Sequence, residues 1–440
     1  MSVLYCIPFL GLLLSIAIFP LINGRLWEKI QPWVMIFWCL CFLIPYGAKY
    51  GLSVAAESTL ESIVGDYITF IVLLFGLFTV AGNITIDGDL AGAPRTNCVL
   101  LFIGMLLSSV IGTTGASMLM IRPLIKMNTW RKNKAHVMVF FIFLVSNMGG
   151  CLTPIGDPPL LMGFSRGINF FYSLSFSHIL LFNAMLLLCI FYLTDRHFFR
   201  KEVAEGARPD ISKPGNNISI KGLHNLIFIA LIISAVILSG ILPSVEPFAK
   251  GLHIYGSVVF TYTQMIEIVI ILLSALGAYL TTPAVIREAN HFTWGAITEV
   301  AILFIGIFIT MHPALVILRD AGKSLKLSSP YQMFWSTGLL SSFLDNTPTY
   351  LVFLTTAGSL GSQAGVYTSL GLVPAQMLTA ISCGAVFMGA NSYIGNAPNM
   401  MVKAISEENG IKMPGFFGYI FWAIKILIPI FIIDTFVFFL

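Results

Sequence analysis

The sequence predicts an all-α polytopic membrane protein built as an inverted-topology repeat, with two re-entrant hairpins and two broken transmembrane helices. Three observations carry this expectation. Of the 440 residues, 57% are hydrophobic and 10% charged, a balance foreign to water-soluble folds of this length. Apolar runs of about twenty residues, the length that crosses a ~30 Å hydrocarbon core, recur along the whole chain. One motif also occurs twice: TPIGDPPLLM from Thr153 returns in degenerate form as SYIGNAPNMMV from Ser392. Ile155, Gly156 and Pro159 then fall on Ile394, Gly395 and Pro398, an offset of 239 residues. A Gly/Pro break repeated inside two apolar stretches marks the binding region of a secondary transporter.

The runs begin near Ser2, Pro32, Asp66, Thr96, Ala135, Phe176, Leu223, Phe260, Ala296, Tyr331, Val373 and Phe416. They read as helices, because backbone in lipid must satisfy its own hydrogen bonds. The first lacks a basic leader and a small-residue cleavage site, so it reads as a span and not a removed signal. The longest polar interval, Asp195 to Lys221, holds KEVAEGARPDISKPGNNIS and reads as a linker. The expected organisation is a first repeat over residues 1–194, with a hairpin at 96–121 and a broken helix at 135–164. A cytoplasmic linker at 195–222 follows. The second repeat covers 223–440, with a hairpin at 331–355 and a broken helix at 373–402.

Charge placement motivates the hairpins. If every run crossed once, Arg122, Lys126, Arg131, Lys132 and Lys134 would lie opposite Arg25 and Lys29, against the positive-inside rule. Two re-entrant hairpins, the first entering from the cytoplasm and the second from outside, remove the conflict. Inner loops then carry 17 of the 24 Lys and Arg residues and outer loops 6, with Lys425 inside a span. Both termini are placed outside, in the inner or plasma membrane. Two further blocks support duplication: LFGLFTVAGN from Leu74 lies on FIGIFITMHP from Phe304, and IGTTGAS from Ile111 on FLDNTPT from Phe343.

Chemistry concentrates at four breaks. In the first hairpin Gly112, Thr113, Thr114, Gly115 and Ser117 free backbone groups beside small hydroxyls, a turn able to hold an ion or simply to pack closely. In SNMGGCLTPIGDPP, Asn147, Gly149, Gly150, Thr153 and the Pro158–Pro159 pair stop one half-helix and start another, with Asp157 in the gap. A carboxylate within the membrane is expensive and reads as functional; the alternative is an N-cap accepting amides of the second half-helix. The second hairpin offers Ser341, Ser342, Asp345, Asn346, Thr347 and Thr349, with Asp345 the repeat mate of Thr113. The last break offers Asn391, Ser392, Asn396 and Asn399, and Asn396 stands where Asp157 stood.

Carboxylate, hydroxyl, amide and carbonyl oxygens suit a hard cation such as sodium, and a carboxylate in a low-dielectric cavity can exchange it for a proton. An anion held by Asn and Thr side chains and half-helix N-termini remains open. No Arg lies in the breaks, which counts against a guanidinium-held tricarboxylate. Scattered net charge of +4 offers no basic face for nucleic acid. No HExxH or P-loop pattern points to an enzyme, and paired hairpins favour alternating access over a channel. Lys425, deep in the last span, would pair with Glu267 or face a polar interior, and His312 reads as a proton shuttle or a helix-end residue.

The blocks SNMGGCLTPIGDPPLLMGF, SSFLDNTPTY and GANSYIGNAPNMMVKAI resemble the ion transporter superfamily, close to its citrate-transport and NhaD-type sodium/proton antiporter branches. The resemblance covers most of the chain. It implies a scaffold domain that forms a homodimer and a transport domain of hairpins and broken helices that moves like an elevator. By motif, it implies ion or substrate ligands at Thr113, Thr114, Asn147, Thr153, Asp157, Asp345, Asn346, Thr347, Ser392 and Asn396. Sodium would sit at Asp157 and Asp345, with Na+ or H+ as coupling ion and no organic cofactor. The cargo is a small ion or, alternatively, citrate or a dicarboxylate; membrane lipid and a second copy are the expected partners, and no nucleic acid is expected.

Overall fold

Helix α1 (Ile7–Tyr50) carries the runs expected near Ser2 and Pro32, separated by a kink at Asn23. There the backbone leaves the helical region (φ −157°, ψ 94°) and the side chain accepts the Leu26 amide at 3.1 Å, the capping contact that restarts a helix. In this computed structural model the described residues are 1–87, 91–206, 219–248, 250–290, 292–321 and 327–440. Helices α2 (Leu52–Leu60) and α3 (Ile68–Gly82) join through a π-helical turn at Glu61–Tyr67. That span therefore begins well before Asp66, where hydropathy alone placed it.

Four helices then carry the first pair of breaks. Helix α4 (Pro94–Ile111) starts on a proline that needs no amide partner. It turns at Gly112 into α5 (Thr113–Met127). Gly112 has φ +79°, and a Cβ there would lie 3.3 Å from the Ile155 carbonyl oxygen, so the tight turn and close approach both demand glycine. Helix α6 (Ala135–Leu144) unwinds through a 3-10 turn at Met148–Leu152 before α7 (Pro158–Ser165). Helix α8 (Ser177–Ala204) closes this half.

In the second half come α9 (Asn225–Ile241), α10 (Tyr262–Thr281), the short α11 (Ala284–Ala289) and α12 (Gly295–Ala321). Helices α13 (Pro330–Ser341) and α14 (Asn346–Gly358) follow. Helix α15 (Ala375–Met388) unwinds at Gly389–Asn391 before α16 (Ala397–Glu408), and α17 (Phe416–Asp434) runs into a π-helical end at Thr435–Phe439. Short antiparallel ribbons decorate the ends. β1 (Thr85–Asp87) pairs with β2 (Ser219–Lys221), β3 (Gly251–Tyr255) with β4 (Val258–Thr261), and β5 (Val366–Thr368) with β6 (Gly371–Val373). Among the described residues nine helical stretches are long and apolar enough to cross a membrane, and α9 is a shorter apolar helix. The protein is a multi-pass, essentially all-helical membrane protein.

The helices sort into two groups by packing. In the outer group α1, α3, α9, α10 and α12 pack together: Phe70 of α3 lies between Phe304 and Phe308 of α12, with ring centroids 4.7 and 5.6 Å away. The inner group is α4–α8 with α13–α17. At its centre α6 is buried on every side from His136 to Leu144, and α15 from Ala380 to Met388, as expected of helices apolar all round. The groups meet where α3 packs on α5 and α12 on α14. Asp66 and Arg166 also pair across this boundary at 2.7 Å.

Some sequence expectations change. Residues 195–204 are the last turns of α8 and not linker; residues 207–218 lie outside the described residues, and 219–221 form β2. Charges at Asp195 and Glu202 looked solvated to a hydropathy count, but both are buried partners of Arg131. Arg131 itself, counted among loop charges, is only 2% exposed. Asp195 also bonds His136 at 2.8 Å and Asn97 at 3.0 Å, so the cluster ties the base of the α4–α5 hairpin to α6 and α8. Lys425 faces outward from α17, whereas Glu267 is buried and bonds Ser239 of α9; the two do not pair. His312 lies inside α12 against the edge of Tyr46, at 6.1 Å, not at a helix end.

Candidate ion-binding site

Asp157 stands immediately before α7, with Pro158 at the first helical position. It occupies the N-cap position with extended backbone (φ −146°, ψ 140°), yet its side chain makes no cap bond to the helix amides. Its carboxylate turns to the other three breaks instead. Oδ1 accepts the Thr113 hydroxyl at 3.0 Å and the Asn396 amide at 3.1 Å, while Oδ2 accepts the Asn346 amide at 2.6 Å. Thr113 opens α5, Asn346 opens α14, and Asn396 stands immediately before α16. All four interruptions of the helical chain therefore converge on one carboxylate.

The four residues are at most 3% exposed, so the site is sealed in this conformation. No Lys, Arg or His bonds Asp157 among the described residues; its donors are neutral. Three hydrogen bonds offset part of the cost of burying the group, but an unpaired charge there stays expensive. That is the condition in which a carboxylate takes up a cation or a proton.

The unwound segments are held against the hairpins by hydroxyls in matching positions. Thr153 donates to the Ser109 carbonyl at 2.5 Å and accepts the Gly156 amide at 3.1 Å. Ser392 donates to the Ser342 carbonyl at 2.5 Å and accepts the Gly395 amide at 3.2 Å. Ser108 donates to the Val145 carbonyl at 2.6 Å, and Ser341 to that of Ala385 at 2.7 Å. Ser109 bonds the Gly149 carbonyl, as Ser342 bonds that of Met388. Sequence reasoning missed Ser108 and Ser109. The signal was a Ser–Ser doublet recurring at 341–342, an offset of 233.

The same offset pairs Thr113 with Asn346, not with Asp345 as the 232-residue alignment had it. Both begin the second arm of a hairpin and both donate to Asp157, whereas Asp345 falls at the N-cap, opposite Gly112. Asp345 is half-buried and accepts the Thr347 amide at 2.9 Å, capping α14. It is not bonded to Asp157.

The remaining expected ligands surround this centre unequally. Asn147 donates to Asn399 at 2.7 Å and to the Ile142 carbonyl at 2.8 Å, leaving its own Oδ1 buried without a hydrogen-bond partner. Asn391 in the other break likewise leaves Oδ1 unpartnered while donating to Ser342 at 2.9 Å. The Thr347 hydroxyl reaches Asn346 only at 3.4 Å, and Thr114 is half-buried beside Thr113. Ser146, unremarked in sequence, matters twice: its carbonyl accepts Asn396 at 3.1 Å and its hydroxyl meets Ser117 at 2.8 Å. Among the described residues no three His, Cys, Asp or Glu converge on a point. A cation here would meet one carboxylate and neutral oxygens, a donor set for a hard monovalent ion and not for zinc or another soft metal.

A family match decides the class. The chain belongs to the family described as "Putative citrate transport". The match spans residues 1–439, both hairpins and both breaks included. No curated protein matches the chain. As a member of the citrate-transport family with its apolar helices in place, the protein is a multi-pass membrane protein of a transport class, consistent with the resemblance to the ion transporter superfamily.

Proposed function

We propose that this citrate-transport family member is a secondary active transporter exchanging sodium for protons. The observation that carries this reading is the convergence of Thr113, Asn346 and Asn396 on Asp157. Those three donors are the groups that would receive an anion, and the chain's own carboxylate already occupies them. Citrate would have to compete with Asp157 and meet its charge, with no guanidinium nearby to compensate. Sodium or a proton gains from the same carboxylate, so the two compete for it. Neutral oxygens from the four breaks complete a sodium shell. Asp345 contributes its charge from the neighbouring hairpin tip, whether or not it touches the ion.

The transport cycle is alternating access of elevator type. The α4–α5 and α13–α14 hairpins are re-entrant from opposite sides, and the halves form an inverted repeat. The matched hydroxyl bonds and the Lys/Arg asymmetry of the loops support this reading. The inner helices carry the site as one body past α3 and α12 of the outer group, which forms the homodimer contact. Both termini lie outside, in the inner or plasma membrane.

A second reading, sodium- or proton-coupled uptake of citrate or a dicarboxylate, is favoured by the family's description. One experiment separates them: purified protein in liposomes with an entrapped pH dye, given sodium, lithium, potassium or citrate outside. Sodium-driven proton movement that is lost in Asp157→Asn supports antiport. Silence toward cations together with sodium-dependent uptake of labelled citrate replaces it with the anion carrier.

A further inference from the structure

A second buried carboxyl lies away from the four breaks. Asp434, at the end of α17, and Asn183, on α8, are both 0% exposed. Asn183 Nδ2 donates to Asp434 Oδ1 at 3.0 Å. The other oxygen of each side chain, Asp434 Oδ2 and Asn183 Oδ1, is buried and has no hydrogen-bond partner. Asn183 spends its other amide hydrogen on the Ile179 carbonyl at 3.0 Å, so with Asp434 ionised neither side chain has a hydrogen left for these two oxygens.

Among the described residues no counter-charge bonds the pair. Phe182 and Phe438 meet edge to face at 5.5 Å beside the pair, and Phe334 of α13 packs on Phe431 and Phe439. From α15 the Cys383 thiol is the titratable group that feels the Asp434 charge. From α13 comes Trp335, which is neutral; its ring nitrogen bonds Thr435 at 2.9 Å. On α8, His178 is exposed, with its ring on Phe438. On α17 itself Lys425 points outward.

Comparison within the chain sharpens the point. Asp195 precedes Asp434 by 239 residues, the offset of the TPIGDPP repeat. At Asp195 the buried carboxylate is paired with Arg131 and hydrogen-bonded by His136 and Asn97. Residues equivalent to Arg131 and His136 at that offset are Leu370 and Ala375, which carry no charge. The same helical position faces a guanidinium in one half and, among the described residues, none in the other.

We propose that Asp434 and Asn183 form a proton-binding site, in which a proton on Asp434 Oδ2 donates to Asn183 Oδ1. One proton then satisfies both unpartnered oxygens and closes an acid–amide ring between α8 and α17, two bonds in place of one. It also removes a bare charge from an apolar interior, where a buried acid takes its neutral form in preference to remaining unpaired. The ligand is a proton taken up from solvent, and the site is separate from Asp157.

Infrared difference spectroscopy of the full-length protein tests this. Asp434→Asn preserves the shape and builds an amide–amide ring with Asn183, so it keeps the fold, checked by size-exclusion elution. At neutral pH the wild-type minus Asp434→Asn spectrum should contain the carbonyl band of a protonated carboxylic acid that moves in heavy water. Asn183→Ala should shift that band toward an acid without a hydrogen-bonded partner, and Asp157→Asn should leave it in place. A difference spectrum with carboxylate bands and no protonated-acid band would overturn the proposal, because the pair would then hold an ionised group. A band that vanishes in Asp157→Asn instead would assign the proton to the central site and equally overturn it.

Discussion

Asn396 donates its side-chain amide to Asp157 at 3.1 Å across 239 residues of chain, and the two stand at the same position of the repeated motif. Each precedes a half-helix that begins with a residue pair containing proline, Pro158–Pro159 and Ala397–Pro398, and neither side chain caps its own helix. Equivalent residues that touch each other place the relation between the halves at the site itself. It also explains why the acids are not duplicated: a second carboxylate at 3.1 Å would meet the first as a like charge, whereas an amide supplies a donor.

Asn396→Ala should therefore be felt locally. Asp157 Oδ1 keeps only Thr113, and the Ser146 carbonyl loses its donor. The loss is about 1–3 kcal/mol, read as a lower melting temperature in detergent, together with altered sodium dependence of proton movement in liposomes. Unchanged values for both would remove Asn396 from the site.

Thr153→Val and Ser392→Ala should have similar effects, because each hydroxyl braces an unwound segment to a hairpin carbonyl at 2.5 Å. Each substitution leaves a buried acceptor unmet and costs about 1–3 kcal/mol. Thermal melts of the two variants check this; a severe loss in only one would mean that the two breaks are braced differently.

Arg131→Met should be more damaging. It takes the guanidinium from Asp195 and Glu202, both buried, and breaking a buried ion cluster from one side costs about 3–5 kcal/mol. Accumulation and melting temperature of the purified variant measure it. Stability near wild type would show that water reaches the cluster.

Asp66→Asn addresses movement and not binding. The Asp66–Arg166 pair, 2.7 Å long and partly exposed, ties the outer group to the inner one. The elevator stroke proposed above would have to break it, so on that proposal the substitution should change turnover severalfold and leave the half-saturating sodium concentration in place. A change confined to that concentration would put Arg166 in the binding pathway instead.

Much of this was legible in the chain because backbone that cannot continue a helix announces itself by residue type. Clusters of Gly, Pro, Asn and Thr inside apolar runs located all four breaks, and hairpin edges at 96–121 and 331–355 fell inside helices spanning 94–127 and 330–358. Asp157 stood out because a carboxylate in such a run is costly. Asp345 looked equivalent, yet a shift of one residue makes it a helix cap and hands the contact to Asn346. Local composition does not contain that difference, which depends on the phase of α14 against a segment 189 residues away.

The sequence by itself determined the class, the helical breaks and the central acid, since these follow from the cost of polar groups in hydrocarbon. Tertiary structure decided which side chains meet. Ser108 and Ser109 became braces, and the charges at 131, 195 and 202 moved from loop to interior. Hydrogen bonds need particular distances and directions, and only the packing of distant helices sets those.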